Sequence, residues 1–210
     1  MSSEKLHVGD PAHFINDPTG VETPWRLPSQ RKVGMISLIA TESALFTIFV
    51  VAYLFYMGRS LNGPYPSELL HFPWAGSAAL FSSSLTIFFA EKAMHAGKRV
   101  PFLVWWGITM LLGMYFVYFS ASEWYEFIFK EHFTLSTNVF GSTFYSLVGL
   151  HLSHVFIGLL LLSTIWLLVL FKGIPEHHLE HVEMISWYWH FVDAIWVVVV
   201  TVVYIISVRY

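Results

Sequence analysis

Residues 133–171 decide the fold class, because they read FTLSTNVFGSTFYSLVGLHLSHVFIGLLLLSTIWLLVLF without a single Asp, Glu, Lys or Arg. An α-helix needs about 20 apolar residues to cross roughly 30 Å of hydrocarbon. This stretch is longer than that, so we expect its helix to tilt or to project beyond the bilayer. The sequence therefore predicts a membrane-spanning helix over about residues 138–171.

Four further stretches of the chain have the same character. They are about residues 34–58, 72–90, 100–122 and 184–208, and their only Asp, Glu, Lys or Arg residues are Glu42 and Asp193. Of all residues, 56% are hydrophobic and 12% charged, whereas a soluble domain is about a quarter charged. Five such helices in a soluble protein would leave too little polar surface to cover them. We therefore predict an all-α, polytopic membrane protein with a bundle of five transmembrane helices.

Residues 1–33 differ from the predicted transmembrane domain, residues 34–210. They contain four of the nine prolines and have no apolar segment typical of a signal peptide. We interpret them as a cytoplasmic Pro-rich N-terminal tail. Two alternatives stay open for it: it lies along a partner or the membrane surface, or it forms a flexible arm.

The Lys and Arg residues between the spans indicate the orientation, because cytoplasmic connections are enriched in them. With the N-terminus inside, eight of the 11 lie on the cytoplasmic side, and Arg59, Lys130 and Arg209 lie outside. The sequence therefore predicts an N-in, C-out arrangement. Aromatic residues should mark the membrane interface, and we expect Trp187, Tyr188 and Trp189 to do so at the start of the fifth span. The chain has no basic cluster that would indicate a nucleic-acid partner.

Glu42 lies about two turns inside the first span. An ionised carboxylate at that depth costs a few kcal/mol, so we expect this group to be protonated, hydrogen-bonded, or facing water or a partner. The functional interpretation is a proton-handling or lipid-organising group. The structural interpretation is a neutral carboxyl that closes a hydrogen bond between helices, and the residues alone leave both open.

Two further polar pairs lie inside the predicted spans. His151 and His154 are three residues apart in the fourth span, where imidazoles could ligate a metal. They have no carboxylate or further histidine in register, so we favour a buried hydrogen-bonding pair. His190 and Asp193 have the same spacing in the fifth span, which would let them share a hydrogen bond or an ion pair.

The loop of residues 172–183 is rich in histidine and glutamate. It could bind zinc or act as a pH-sensitive patch, but a solvated loop is the interpretation we favour. The chain has no cysteine, which excludes thiolate metal sites and disulfides. We find no nucleophile with a base, no phosphate-binding glycine loop and no complete metal shell. We therefore expect no catalytic residue and no metal site in this chain.

Three segments resemble a known family. Residues 187–196, WYWHFVDAIW, are very similar to the hallmark of haem–copper oxidase subunit III, and so are residues 140–145, FGSTFY, and 149–158, GLHLSHVFIG. Glu42 within Thr-Glu-Ser matches the membrane carboxylate of that family. The resemblance extends from about residue 33 to the end and fits the five-helix bacterial version. The segment after Pro73 departs from the family pattern, because it reads Trp-Ala-Gly-Ser where the family has an Asn-Thr pair.

The resemblance implies a non-redox accessory subunit of a proton-pumping cytochrome c oxidase, in the bacterial inner (plasma) membrane. In that family haem and copper are bound by subunits I and II, which reduce oxygen to water and together form a proton-translocating oxidoreductase. Subunit III binds neither; it packs against subunit I, holds phospholipid and sustains proton uptake.

The resemblance also assigns roles to individual residues. It places Glu42 near the proton-entry side and a bound lipid, and makes Lys172 a candidate contact for a lipid head group. The family's intramembrane polar network corresponds to His151, His154, His190 and Asp193.

Other functions stay open at this point. The equivalent subunit of a quinol oxidase, or the accessory protein of nitric oxide reductase, would differ in the electron donor or acceptor, which other subunits recognise. A small proton-coupled transporter would use Glu42 and Asp193 as coupling carboxylates. The sequence has neither the inverted repeats nor the matching Gly/Pro-broken spans that many transporters have, so we regard this as the remote alternative.

Overall fold

The computed structural model describes residues 30–173 and 179–209, and these ranges are helical without a β-strand. The helices are α1 Gln30–Tyr56, α2 Pro66–Leu69, α3 Trp74–His95, α4 Arg99–Phe129, α5 Val139–Lys172 and α6 Leu179–Val200. A π-helical turn, Thr201–Ile206, and a 3-10 turn, Ser207–Arg209, continue α6. The predicted tail of residues 1–33 lies outside the described residues, except for residues 30–33, which begin α1.

Among the described helices, four have the length and apolar composition needed to cross a membrane. They are Gln30–Tyr56, Arg99–Phe129, Val139–Phe171 and Glu180–Ile206. These four coincide with the first, third, fourth and fifth predicted spans, so the prediction of an all-helical, multi-pass protein is confirmed. α3 covers the second predicted span, but its small and polar side chains make it less apolar than the other four.

α4 is longer than its predicted span of residues 100–122. Its 31 residues measure about 46 Å at 1.5 Å per residue, which exceeds the hydrocarbon thickness of about 30 Å. Glu123 and Glu126 therefore lie on a helical extension and not in a connecting loop. Lys130 follows the last turn, and its Nζ donates to the Glu126 carboxylate at 2.7 Å. This hydrogen bond raises the pKa of Lys130.

α3 packs against α4 and α6 through a stripe of small residues. The buried members of this stripe are Gly76, Ser77, Ala79, Ser83, Thr86 and Ala90. A Cβ atom on Gly76 would lie 2.9 Å from the Phe119 ring, so α4 approaches α3 closely there. The large apolar residues Phe81, Leu85 and Phe88 point away from the bundle. Close packing through small residues is how helices associate where burial from water contributes nothing.

Trp189 of α6 lies at the centre of the bundle. Its Nε1–H donates to Ser83 Oγ of α3 at 2.8 Å. Its ring packs on Gly113 of α4 and Gly158 of α5, where a Cβ atom would come within 2.7 and 2.9 Å of the ring. We expected Trp189 at the membrane interface, but α6 begins at Leu179, about three turns earlier. The indole is therefore in the core.

Trp196, two turns further along α6, repeats this arrangement. Its Nε1–H donates to Ser77 Oγ of α3 at 3.0 Å, and its ring stacks on His151 of α5 with centroids 5.0 Å apart. Each indole therefore touches α3 with its N–H and α5 with its ring. Together the two indoles link α3 to α5 through the core of the bundle.

α1 is the least covered of the long helices. It contacts α5 and α6, yet Phe46 and Tyr53 are its only fully buried residues. Its exposed large apolar residues are Val33, Ile36, Leu38, Leu45, Ile48, Val51, Leu54, Phe55 and Tyr56. α1 therefore presents an apolar face that the described part of the chain leaves uncovered.

Candidate functional site

Glu42 of α1 meets His154 of α5. Glu42 Oε2 lies 3.1 Å from His154 Nε2. The Phe46 ring, one turn after Glu42, packs against the imidazole with centroids 4.9 Å apart. Of the arrangements expected for Glu42, the structure therefore shows a hydrogen bond to another helix. Polar contacts of this kind stabilise helix bundles in membranes.

The carbonyl of Leu150 determines how protons are arranged at this pair. His154 Nδ1 lies 2.8 Å from the Leu150 carbonyl oxygen, which can only accept. Nδ1 therefore carries a hydrogen, and Nε2 presents either a lone pair or a second hydrogen to Glu42. In the first case Glu42 is a neutral acid that donates to Nε2, and in the second a carboxylate accepts from an imidazolium. In both cases one proton is shared between Glu42 and His154.

The Glu42–His154 pair lies at the edge of the bundle. The Glu42 side chain is 26% exposed and that of His154 is 10% exposed. Tyr188 Oη of α6 donates to the His154 backbone carbonyl at 3.2 Å, which holds this turn of α5 from the other side. Because α1 is sparsely covered, water, lipid or another protein can reach the Glu42 carboxyl group.

His151 does not join this pair. It is fully buried, and neither ring nitrogen has a hydrogen-bond partner within the described residues. Its ring packs among Trp196, Phe116 and Phe46. A three-residue step turns the side chain by about 60° around a helix, so His154 faces α1 while His151 faces the aromatic core. The hydrogen-bonding role that we favoured for both histidines therefore applies to His154 alone.

His190 and Asp193 of α6 both contact Ser84 of α3. Ser84 Oγ forms a hydrogen bond with Asp193 Oδ2 and lies 3.2 Å from His190 Nδ1. Asp193 is 4% exposed, and its Oδ1 atom has no partner among the described residues. The direct pair that we expected from the three-residue spacing is thus replaced by a cluster of three side chains on two helices.

Charged side chains join three helices at the end of the bundle where α6 begins. Glu183 of α6 lies 3.0 Å from Lys32 Nζ of α1 and 3.4 Å from His95 Nε2 of α3. One turn further, Ser186 Oγ donates to Glu91 Oε2 of α3 at 3.2 Å. The sequence pattern placed Glu183 in the histidine-rich loop and gave no site role to Ser84 or Glu91. The seven-residue spacing between Ser84 and Glu91, which places both on one face of α3, was the available signal.

The remaining predicted site residues lie largely outside the described part of the chain. Lys172 is the last residue of α5, and its side chain is outside the described residues. Residues 174–178 of the histidine-rich loop, which include His177 and His178, are also outside. In the described ranges, no group of three His, Cys, Asp or Glu side chains is arranged to hold a metal ion.

A comparison with protein-family models matches residues 27–208 to cytochrome c oxidase subunit III. The chain belongs to this family. Relatives named cytochrome c oxidase subunit 3 include that of Bacillus sp. strain PS3, 33% identical over 96% of this chain and 99% of the relative. That of Alkalihalophilus pseudofirmus is 33% identical over 84% and 86%. That of Synechocystis is 35% identical over 85% and 77%.

Membership of the subunit III family indicates what this chain does. The chain is an accessory subunit III of a haem–copper oxidase, and it is therefore a component of a membrane-bound oxidase complex. Its polar groups are to be understood in that setting. Two carboxyl–imidazole sites lie within the spans, Glu42–His154 at the edge formed by α1 and Asp193–His190 between α3 and α6. A third contact of this kind, Glu183–His95, lies at the end of the bundle.

Proposed function

We propose that this chain is the non-redox subunit III of a proton-pumping cytochrome c oxidase, and that it stabilises subunit I and sustains proton uptake through Glu42. The observation that carries the proposal is the Glu42–His154 pair, which shares one proton at an accessible edge of the bundle. A group that exchanges a proton with its surroundings must be both titratable and reachable. Glu42 meets both requirements, whereas the fully buried His151 is not reachable.

The proposed membrane arrangement has five spans. They are the four apolar helices α1, α4, α5 and α6, together with α3, which is the second span in chain order. Its polar side chains are compatible with lipid because several point inward: Thr86 Oγ1 pairs with Thr109 Oγ1 of α4 at 2.7 Å. An N-in, C-out orientation is supported by basic residues at one end, Lys32, Lys98 and Arg99, and by the acidic extension of α4 at the other. We place this bundle in the bacterial inner membrane.

The uncovered apolar face of α1 supports a contact with subunit I. A helix with exposed apolar residues along its whole length needs lipid or protein against it. Glu42 lies on this same helix, so a subunit that packs against α1 would bring its own groups close to the Glu42 carboxyl. We propose that subunit I occupies this position and that subunit II belongs to the same complex.

An apolar groove of about 570 Å³ between α4 and α5 supports phospholipid binding. Its walls include Val104, Leu111 and Trp166, which suit an acyl chain. At one end, Arg99 Nη2 donates to the Leu170 carbonyl, which places a cation where a phosphate head group would lie. We propose that the chain binds phospholipid and that haem and copper are held by the partner subunits.

The proposal is tested with the whole oxidase carrying Glu42→Ala. We expect intact haem and copper spectra, together with slower proton uptake or a shorter active lifetime during turnover, because the shared proton at the bundle edge is lost. Glu126→Gln is the matched control, since it removes a carboxylate from the exposed α4 extension. If Glu42→Ala leaves turnover, pumping and the inactivation rate unchanged, Glu42 is a packing residue and the proposed role is wrong.

A further inference from the structure

The Asp193–Ser84–His190 cluster contains one hydroxyl group between two atoms that compete for its hydrogen. Ser84 Oγ faces both Asp193 Oδ2 and His190 Nδ1. A hydroxyl has one hydrogen to donate and can accept a second hydrogen bond. If Ser84 donates to one of these atoms, the other atom must carry a hydrogen of its own and donate it to Ser84. The three side chains therefore form a directional chain of hydrogen bonds.

Two directions are possible, and burial distinguishes them. In the first, the neutral Asp193 acid donates to Ser84, and Ser84 donates to His190 Nδ1. In the second, His190 Nδ1 donates to Ser84, and Ser84 donates to an ionised Asp193. The second direction leaves a negative charge on a carboxylate that is 4% exposed and whose Oδ1 has no partner in the described part of the chain. Unpaired buried charge is costly inside a membrane, so the first direction is favoured.

We propose that Asp193, Ser84 and His190 form a proton relay between α3 and α6, in which the buried Asp193 holds a proton that Ser84 can pass to His190. In the transfer, the Oδ2–H bond of Asp193 breaks as that proton bonds to Ser84 Oγ. The original Ser84 O–H bond breaks at the same time, and its proton bonds to His190 Nδ1. The products are an Asp193 carboxylate and a His190 imidazolium, with Ser84 unchanged. The relay rests on contacts within this chain and does not depend on the role proposed for Glu42.

A stripe of polar residues extends from this relay towards the end of the bundle where α6 begins. On α6 the stripe consists of Glu183, Ser186, His190 and Asp193, which share one face at three- and four-residue spacing. On α3 their partners are His95, Glu91 and Ser84. From Glu183 to Asp193 the stripe rises about 15 Å, half of the hydrocarbon thickness. It therefore leads from the bundle end to mid-membrane.

The titratable and charged groups that face this stripe come from several helices. α6 supplies His190 and Glu183, α3 supplies Glu91 and His95, and α1 supplies Lys32, which pairs with Glu183. α5 supplies His151 on the far side of Trp196. We infer that the proton on Asp193 exchanges with water at the bundle end through Glu91 and Ser186.

The relay is tested by infrared difference spectroscopy of the purified complex in H₂O and D₂O. We expect the carbonyl stretch of a protonated carboxyl group at neutral pH, which ¹³C labelling of aspartate shifts and Asp193→Asn removes. In Ser84→Ala the band should move to higher frequency, because the acid loses its hydrogen-bond acceptor. Ser82→Ala is the matched control, since within the described residues Ser82 bonds only to Ala78 of its own helix, and the band should not move.

Other outcomes would overturn the relay. If the aspartate-labelled complex has no protonated aspartate band, Asp193 is ionised and the relay does not exist. If Asp193→Asn fails to assemble, aspartate labelling combined with Ser84→Ala still decides, because an unmoved band excludes Ser84 as the partner. Glu91→Gln should slow deuterium exchange into the band relative to Glu126→Gln. Equal exchange rates would overturn the route through Glu91. None of these readouts depends on turnover.

Discussion

The two carboxyl–imidazole sites within the spans of this chain use the same chemical groups in different settings. Glu42 and His154 touch directly at 3.1 Å, on the thinly covered edge formed by α1, and the Glu42 side chain is 26% exposed. Asp193 and His190 are joined through Ser84, and Asp193 is 4% exposed. Accessibility therefore separates their roles. The open site can exchange its proton directly with a partner. In the sealed site, the proton of the buried Asp193 can leave only through Ser84, to the partly exposed His190.

Trp189 and Trp196 pack in the core between the helices that carry the two sites, and disturbing this packing should have the largest effect. Gly113→Ala would place a Cβ atom 2.7 Å from the Trp189 ring and 3.0 Å from Leu159. We expect a loss of roughly 2 kcal/mol, because overpacking of a filled core costs about 1–3 kcal/mol. Both sites should be disturbed together, since Trp189 touches α3, α4 and α5. Denaturant titration in detergent measures the free energy of unfolding.

Gly107→Ala is the matched control on the same helix. A Cβ atom there would lie 3.6 Å from Trp166 Nε1, an ordinary contact. Its effect should be close to neutral or slightly stabilising, because alanine is favoured over glycine in a helix by up to about 1 kcal/mol. Equal destabilisation by the two substitutions would contradict the central position of Trp189.

A smaller effect should distinguish the two sites from each other. Ser84→Ala leaves both Asp193 and His190 without their shared partner, and unpaired buried groups cost about 1–3 kcal/mol. Glu42→Ala removes a side chain that is 26% exposed and leaves His154 with its Leu150 bond, and water can take the place of the lost carboxyl group, so we expect a loss below about 1 kcal/mol. Ser82→Ala, on the exposed side of α3, should change stability by less than about 0.5 kcal/mol. If Glu42→Ala lowers the free energy of unfolding more than Ser84→Ala does, the assignment of open and sealed sites is wrong.

The parts of the fold that the sequence predicted follow from local composition. Stretches without charge identify α1, α4, α5 and α6 as apolar helices, because a single segment must satisfy the bilayer by itself. The boundaries were less accurate: α4 continues to Phe129 because its acidic residues remain helical beyond the apolar stretch. The small and polar side chains of α3 pack against α4 and α6. The residues of α3 alone do not reveal these neighbours.

Which polar side chains become partners in the candidate sites depends on how each helix is rotated about its axis. The sequence identified Glu42, His154, His190 and Asp193 as costly polar residues, but local spacing joined them incorrectly, as His151 with His154 and His190 with Asp193. Their partners are instead on other helices, 112 residues away for Glu42 and His154. Nothing in the neighbouring residues specifies such a contact. Ser84 was one of three adjacent serines, and its bridging position depends on how α3 packs against α6.

The most direct test of the account compares proton uptake by the whole oxidase carrying Glu42→Gln with that of the complex carrying Asp193→Asn. Haem and copper spectra and subunit content serve as controls for assembly. We expect Glu42→Gln to slow proton uptake during oxygen reduction, because the open site loses its shared proton, and Asp193→Asn to keep the rate of the unmodified complex. A normal rate in Glu42→Gln, or an equal slowing in both variants, would contradict the division into an open site that serves the oxidase and a sealed site whose proton leaves Asp193 only through Ser84.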